Sequence, residues 1–413
     1  MRPLSVALLV CIVFPSLALA GHRILSADYK SLQVVLNDDF LSLPVMKLGS
    51  DDVLHIGFDQ LSHTYRRLVY QLEPCNPDWT ACDELFESDW LEGFNNMPID
   101  DYANSINTTV LYTHYQMQIP NEHSRLKKSG NYRLHIIEDE EDREVMVVEF
   151  RVAELLMSVS LGITTNTDID INQRHQQVEM KVGFNALRVT NANEQLQTFI
   201  MQNGREDNIK QNIRPDYVMA TGLTWQHNRK LIFEAGNEYH KFEVLDPSHT
   251  TMGLDRVTWD EAERRYHVWP FAVDPCRNYV YDQDADGAFI IRNSENTEID
   301  VTADYVWVHY TLYPLRHYAD ATIRIDGRWT TESADAYRMT YDPAARTYTA
   351  SVLQKLGYYN YRFALVDLDG TTHQLPEEGS FYQTENQYTA FVYYKGPGER
   401  SWRLVGFCDT KFK

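Results

Sequence analysis

One alternating stretch, residues 107–120, constrains the fold more than any other part of the chain. Its residues fall on two faces of an extended strand, Leu111, Thr113, Tyr115, Met117 and Ile119 on one face and Val110, Tyr112, His114, Gln116 and Gln118 on the other. A period of two, rich in β-branched and aromatic residues, is typical of a half-buried strand. Pro120 ends it, because proline cannot donate to a sheet ladder. Most other readable segments repeat this alternation, so the sequence predicts an all-β protein.

The length and the spacing of the strand candidates predict tandem β-sandwiches of the immunoglobulin-like and early-set kinds. A chain of 413 residues suggests two to four domains, at about 150 residues per domain. Seven short strands with turns between them suit the first sandwich, at 32–36, 44–48, 53–58, 67–72, 110–119, 132–137 and 145–152. The predicted domains are a signal peptide at 1–20, an N-terminal immunoglobulin-like sandwich at 21–153, a second sandwich at 154–300 and an early-set-like sandwich at 301–413.

Some later segments are assigned to these domains by position. The strand at 266–273 is expected to close the second domain, and those at 388–394 and 402–407 are expected to finish the third. Asp326-Gly327 predicts a tight hairpin between 321–325 and 328–330, and Asn203-Gly204 predicts a hairpin turn, because both positions tolerate positive φ.

The first twenty residues have the features of a secretory signal peptide. Arg2 precedes an apolar run, and Ala18-Leu19-Ala20 fits a small-x-small cleavage site. No later apolar run approaches the roughly 20 residues of a spanning helix, so no direct membrane insertion is expected. Without Arg2 the chain has 37 Lys and Arg against 59 Asp and Glu, a net charge of −22. Such an acidic surface repels nucleic acid, which is excluded as a partner.

Four cysteines lie beyond the predicted signal peptide: Cys75, Cys82, Cys276 and Cys408. Cys75 and Cys82 are close enough in sequence for a local disulfide in an exported protein, and the alternative is a pair of free thiols. Their spacing matches no zinc pattern. Cys276 and Cys408 are expected to be buried thiols, and the alternative is an interdomain pair.

The acidic run Asp282-Gln-Asp284-Ala-Asp286-Gly287 looks like the start of a calcium loop. Oxygen ligands at alternate positions followed by glycine are what a hard cation needs. However, Asn293 stands where the loop requires glutamate, and no helices flank it. A tight acidic turn is therefore the favoured interpretation, and ion binding is the alternative.

The remaining candidates for chemistry favour a structural interpretation. His114, His309 and His317 lack metal-ligand spacing, and Asp100-Asp101 is a pair expected by chance in so acidic a chain. The chain has no nucleophile elbow, zinc-protease or phosphate-loop motif, and Asn107-Thr108-Thr109 is assigned no role. We therefore predict no catalytic, cofactor or metal residues, no cofactor and no enzyme activity.

Aromatic residues leave two alternatives open. The run at 358–361 and Trp402 suit either a sandwich core, which is favoured, or a sugar-binding platform. The long loop at 73–105 carries Trp79, Trp90, Phe94 and Tyr102, and it either covers the core of its own domain or contacts a partner.

An ordered set of short motifs resembles one family. They are Pro44–Gly49, Asp89–Phe94, Asp100–Tyr102, Ser105–Thr109, Tyr112–Tyr115, Ser129–Tyr132, Asp282–Phe289, Asp304–Val308 and Gly357–Tyr361. In this order they resemble the plug protein of the type IX secretion system of Bacteroidota, over nearly the whole chain beyond the signal peptide.

The resemblance implies a periplasmic, monomeric and non-catalytic protein built of immunoglobulin-like domains. It implies a partner, the outer-membrane translocon β-barrel, which the protein closes when no cargo is in transit. The family supplies no catalytic residues to carry over. The third domain also resembles early-set, glycogen-binding sandwiches, so an exported carbohydrate-binding protein is the alternative function.

Overall fold

The structure, a computed structural model, describes residues 21–413. The predicted signal peptide lies outside these residues. The described chain is built from strands, with three α-helices of four residues each: α1 (Glu87–Trp90), α2 (Ala192–Gln195) and α3 (Ile299–Thr302). Short 3₁₀ turns lie at Glu206–Asn208, Arg229–Leu231, Ala334–Tyr337 and Pro376–Glu378. The all-β prediction is confirmed.

The first sandwich contains twelve strands in chain order. They are β1 (Arg23–Ile24), β2 (Tyr29–Leu36), β3 (Val45–Lys47), β4 (Leu54–Gln60), β5 (Leu68–Cys75), β6 (Leu91–Gly93), β7 (Met97–Pro98), β8 (Asp101–Asn104), β9 (Thr113–Ile119), β10 (Ser124–Leu126), β11 (Gly130–Glu138) and β12 (Arg143–Ala153). One of its sheets has the order β2-β4-β9-β8, and the other is formed around β12, β11 and β5. Phe58, Tyr115, Leu134 and Phe150 are fully buried between the two sheets.

The second sandwich combines two distant parts of the chain. Its first part contributes β13 (Ser158–Thr164), β14 (His175–Gly183), β15 (Leu196–Gln202), β16 (Lys210–Gln211), β17 (Tyr217–Met219), β18 (Gly222–Trp225) and β19 (Ile232–Glu234). One sheet has the order β13-β14-β18-β17, with β19 beside β14. The facing sheet contains β15 and β16 together with two strands from the end of the described chain.

The third sandwich lies between those two parts in sequence. Its strands are β20 (His240–Val244), β21 (Leu254–Asp260), β22 (Arg265–Pro270), β23 (Phe289–Ile291), β24 (Tyr305–Leu312), β25 (Ala321–Asp326), β26 (Thr340–Asp342), β27 (Thr347–Lys355), β28 (Gly357–Asp367) and β29 (Thr372–Gln374). One sheet has the order β21-β22-β24-β27-β26, and the other is arranged around the long strand β28. The chain then returns to the second sandwich with β30 (Asn386–Tyr394) and β31 (Arg403–Phe412).

Strand pairing crosses the domain limit predicted between residues 300 and 301 in both directions. The strand predicted to close the second domain, β22, pairs with β24 of the third sandwich. The strands predicted to finish the third domain, β30 and β31, pair with β15 and with each other in the second. Periodicity identified these strands but not their partners, because alternation marks a buried face without saying which sheet covers it.

A ten-stranded sheet joins the first and second sandwiches. Its central order is β16-β15-β30-β31-β12-β11-β5-β7, with β1 and β3 also paired to β12. The junction is a parallel pairing of Ala153 with Leu404, extended by the Glu154 amide, which donates to the Leu404 carbonyl at 2.8 Å. Phe199, Phe391 and Leu404 are buried beside it. The two sandwiches therefore share one backbone hydrogen-bond network.

The stretch at 107–120 is extended only from Thr113, where β9 begins. Tyr115 and Ile119 lie in the core, as alternation predicts. Residues 110–112 leave the sheet because Val110 and Tyr112 are buried against Tyr305 of the third sandwich. The predicted Asp326-Gly327 hairpin is wrong: β25 pairs with β28 instead, and no strand follows at 328–330. Asn203 and Gly204 have the expected positive φ, +55° and +67°. They begin a seven-residue connection from β15 to β16 rather than a tight hairpin.

Candidate functional site

The most unusual chemistry in the described chain is a buried ionic cluster between the first and third sandwiches. Asp59 on β4 and His114 on β9 are register partners, and Tyr305 on β24 is the register partner of Lys355 on β27. The Lys355 ammonium lies 2.7 Å from one Asp59 carboxylate oxygen, which also accepts from the Tyr305 hydroxyl at 2.7 Å. The His114 Nδ1 lies 2.7 Å from the other oxygen. We call these four residues the interdomain clasp.

The clasp excludes water almost completely. The side chains of Asp59 and Lys355 are 1% and 2% exposed. Burial alone would raise the pKa of Asp59, but the Lys355 ammonium and the His114 ring outweigh burial and hold that pKa below its usual value. Burial and the Asp59 charge raise the pKa of Tyr305 far above its ordinary range. A buried pair of this kind contributes little net stability, but breaking it leaves an uncompensated charge.

Backbone and aromatic contacts extend the clasp. The Lys355 ammonium lies 4.2 Å from the centre of the Tyr112 ring, and that ring meets Tyr305 edge-on at 5.5 Å. The Tyr112 hydroxyl donates to the Ala303 carbonyl at 2.8 Å. The Asp304 carboxylate accepts from the backbone amides of Thr109 and Val110 at 2.7 and 3.1 Å. This explains why the strand predicted at 110–119 begins three residues later, at Thr113.

Further contacts tie the three sandwiches together outside the clasp. Lys30 pairs with Glu332 at 2.7 Å between the first and third sandwiches. The Arg328 guanidinium donates to the Leu41 carbonyl at 2.8 Å and to the Gln387 side chain at 3.3 Å, so it touches all three. With the shared sheet, these contacts make the described chain one interlocked body rather than three modules on linkers.

A second buried cation connects the third sandwich to the second. The Arg362 side chain, 7% exposed, lies 2.7 Å from Asp326 and 3.7 Å from Asp207. At the junction of the first and second sandwiches, Arg151 pairs with Glu206 at 2.8 Å and packs 4.4 Å from the Phe391 ring centre. Each interface therefore contains a buried cation that is paired with a carboxylate.

The carboxylates of the calcium-like run do not converge. Asp282 pairs with Lys241, while Asp284 accepts from the backbone amides of Tyr239 and Asp286. Burial and the neighbouring Asp286 charge raise the pKa of Asp284 to about 7. Across residues 21–413 no group of three or more His, Cys, Asp or Glu is arranged to hold a metal ion. The run is a tight turn, and Asp286 has φ of +50°.

Both cysteines of the predicted local pair are free thiols in this structure, and both are buried. Cys75 and Cys82 line one small cavity with Tyr132 and Trp402. Burial raises the pKa of Cys75 to about 12, so it is a poor nucleophile. Cys276 and Cys408 are half-buried, which differs from the full burial that was expected.

The three histidines have structural partners. His114 belongs to the clasp, and His317 contacts the Tyr348 hydroxyl at 3.0 Å. His309 contacts His267 at 2.8 Å, and burial together with the His267 charge lowers the pKa of His309 to about 4. Asp101 is exposed and accepts from Gln116 at 2.8 Å.

Some residues of the two aromatic segments lie in the core, and others lie on the surface. Tyr359 and Tyr361 lie in the core of the third sandwich, as the favoured interpretation predicts. In the loop at 73–105, Trp79 and Trp90 are buried, whereas Phe94 is 67% and Tyr102 45% exposed. That loop therefore covers its own core with one set of rings and presents another set to solvent.

A second set of aromatic residues lies around Trp269 on the outer face of the third sandwich, but it does not form an open sugar-binding platform. The Trp269 ring is covered on one side by the Arg256 guanidinium at 4.0 Å and stacks on His309 at 4.5 Å. A sugar would have to displace one of these neighbours to reach the ring face.

Comparison with known proteins shows which proteins this chain resembles. A family model described as the type 9 secretion system plug protein 1st domain matches residues 29–154, from the start of β2 to just past β12. The crystal structure of a hypothetical protein from Parabacteroides merdae ATCC 43184 is 33% identical, with a TM-score of 0.90, over 95% of this chain and 99% of that one. The chain belongs to the type IX secretion system plug protein family.

Membership of the plug family associates the chain with the type IX secretion system. Two other solved structures are far less similar. The C-terminal domain of the Streptococcus pyogenes antigen I/II-family protein AspA is 8% identical with a TM-score of 0.17, covering 93% of this chain and 99% of its own. Three N-terminal domains of the bacteriophage RB49 Hoc protein are 9% identical with a TM-score of 0.16, covering 93% and 97%. Neither likeness supports an argument. No curated protein matches the chain significantly.

Sequence reasoning missed the clasp. Asp59 directly follows the strand predicted at 53–58, and Lys355 is the last residue of β27, a strand that was not predicted. The signal that could have indicated the clasp was a charged residue, Asp59 or Lys355, at the end of a strand whose other inward residues are apolar. Because 296 residues separate them, no local pattern links the two.

Proposed function

We propose that this plug-family protein closes the outer-membrane translocon barrel of the type IX secretion system from the periplasmic side when no cargo is engaged. The observation that supports this most directly is the interlocked body. A stopper must resist deformation under a pressure or concentration difference, and the shared sheet and the buried clasp oppose hinge motion between the sandwiches. The largest outer-membrane barrels have about 36 strands and are wide enough to leak.

The proposal needs no chemistry at the protein's centre. Three buried cations, Lys355, Arg362 and Arg151, pair with carboxylates of a different sandwich, which suits a non-catalytic role. No helix of the described chain is long and apolar enough to cross a membrane. Attachment to the outer membrane would then come through the barrel, and the protein would act as a monomer in the periplasm.

Two measurements test the proposal. Tagged protein should recover the barrel from detergent-solubilised outer membranes. Added to the barrel in a planar bilayer, it should lower the open-pore conductance from the periplasmic side only. Failure to recover the barrel, or an unchanged conductance with the complex formed, overturns the plug role. Bovine serum albumin at the same concentration controls for non-specific block.

A further inference from the structure

Strand β17 forms an open edge on the second sandwich. Among the described residues it pairs with β18 alone, so its outer backbone groups have no strand beside them. Tyr217, Val218 and Met219 are 59%, 68% and 52% exposed. Natural sheets usually protect such edges with charged side chains, prolines or a covering loop. Three consecutive exposed apolar residues on an open edge are the opposite arrangement.

Unpaired cations flank this edge at its Tyr217 end. Arg214, Arg229 and Lys230 are exposed, and none of them has a carboxylate partner among residues 21–413. The backbone brings them together, since the Asn228 side chain donates to the Arg214 carbonyl at 3.2 Å. The same amide binds Asp216 at 3.0 Å, which is the one nearby carboxylate on this edge segment.

The charge of the surrounding segment sets it apart from the rest of the protein. Residues 154–235 contain 8 Lys and Arg against 9 Asp and Glu, which gives −1. Residues 21–153 have 11 against 23, which gives −12, and residues 236–413 have 18 against 27, which gives −9. An acidic partner segment is therefore repelled from most of the molecule but not from the β17 edge.

We infer that the β17 edge, residues 214–220 with Arg229 and Lys230, is where the barrel docks. An extended segment of the barrel with apolar and acidic residues adds to the sheet as a new strand. In strand addition, backbone hydrogen bonds supply affinity and alternate side chains supply specificity. A second copy of this chain would present the same cations at its own β17 edge, so it lacks the charge complementarity that an acidic segment has. This inference rests on the proposed function and adds to it the docking surface and the chemistry of the partner.

Two sets of variants test the edge in the full-length protein. Val218→Glu places a negative charge on the edge itself, and Arg229→Glu with Lys230→Glu reverses the flanking cations. The matched controls are Val280→Glu, at a residue 72% exposed in the third sandwich, and Arg264→Glu with Arg265→Glu at the β21–β22 turn. Thermal unfolding must show that all four variants fold like the unmodified protein.

The readout is recovery of detergent-solubilised type IX barrel at a fixed protein concentration. We expect both edge variants to recover at least about tenfold less barrel than the unmodified protein and both controls to recover equal amounts. The amides of residues 217–219 should also gain protection from hydrogen exchange when the barrel binds.

The outcomes separate this inference from the proposed function. If the unmodified protein recovers the barrel and the edge variants recover as much, the docking surface is wrong and the plug role stands. If the unmodified protein recovers no barrel, the plug role itself is overturned. Equal losses in edge and control variants also overturn the β17 assignment, since they would indicate general charge repulsion. Self-association through β17 in sedimentation experiments would identify a second copy as the occupant and refute the inference.

Discussion

Replacing Lys355 with methionine tests whether the clasp holds the first and third sandwiches together. The ammonium lies 2.7 Å from Asp59, and both side chains are at least 98% buried. Removing one partner of a buried ion pair costs about 3–5 kcal/mol, because the other charge loses its compensation. His114 and Tyr305 still bind Asp59 in the variant, so we expect about 3 kcal/mol. Methionine fills a similar volume, which limits the cavity contribution.

Urea unfolding followed by tryptophan fluorescence measures this loss. With an m-value of about 3 kcal/mol/M, the midpoint should fall by about 1 M. The exposed Lys181→Met serves as the control and should change stability by less than about 0.5 kcal/mol. Asp59→Asn added to Lys355→Met should restore part of the loss, since the uncompensated charge is gone. A Lys355→Met variant within about 1 kcal/mol of the unmodified protein refutes the reasoning.

The pH dependence of the clasp has a defined sign. The folded-state pKa of Asp59 is below its ordinary value. Its contribution to stability is therefore fully present above the unfolded pKa of about 3.9 and is lost as the pH falls through the folded pKa.

Three further predictions concern other parts of the molecule. Burial raises the pKa of Asp284 in the folded protein to about 7. The folded state therefore binds this proton more tightly than the unfolded state, and stability falls as the pH rises from about 4 to 7. In urea titrations, Asp284→Asn should be more stable than the unmodified protein by about 1–3 kcal/mol at pH 8 and similarly stable at pH 4. Gly93 has φ of +103°, and a Cβ there would overlap the His123 carbonyl oxygen. Gly93→Ala should therefore lower the stability by about 1–3 kcal/mol and speed proteolysis of the loop at 84–95. An unchanged cleavage rate contradicts this prediction. Cys75 should resist maleimide at pH 7 in the native protein while Cys276 is labelled, and comparable labelling rates measured by mass spectrometry would show that Cys75 is not buried.

Local pattern was sufficient for seven of the twelve strands of the first sandwich. The predicted strands at 132–137 and 145–152 correspond to β11 and β12, which are one or two residues longer at each end, and the strand at 67–72 corresponds to β5, which begins one residue later and ends three residues later. Alternation succeeds here because each strand has one face on the core formed around Leu134 and Phe150. The interpretation of Tyr359 and Tyr361 as core residues succeeded for the same reason.

The sequence could not indicate how the sandwiches interlock. β30 was recognised as a strand, yet its partner β15 lies almost two hundred residues earlier, and the whole third sandwich lies between them in sequence. The clasp has the same limitation, because Asp59 and Lys355 meet only after both sandwiches have formed. The β17 edge was missed because three residues are too few to establish a period.

The return of the chain to the second sandwich has a consequence for biogenesis. Leu196 pairs with Tyr394, and these residues are 198 positions apart. Until residues 386–412 are available to pair, β15 and β12 each lack a neighbour, and their unpaired edges are open to aggregation. Contacts between such distant segments form slowly. A folding chain would therefore need a chaperone until its last strands have paired, and a truncation that removes β31 would damage the junction with the first sandwich.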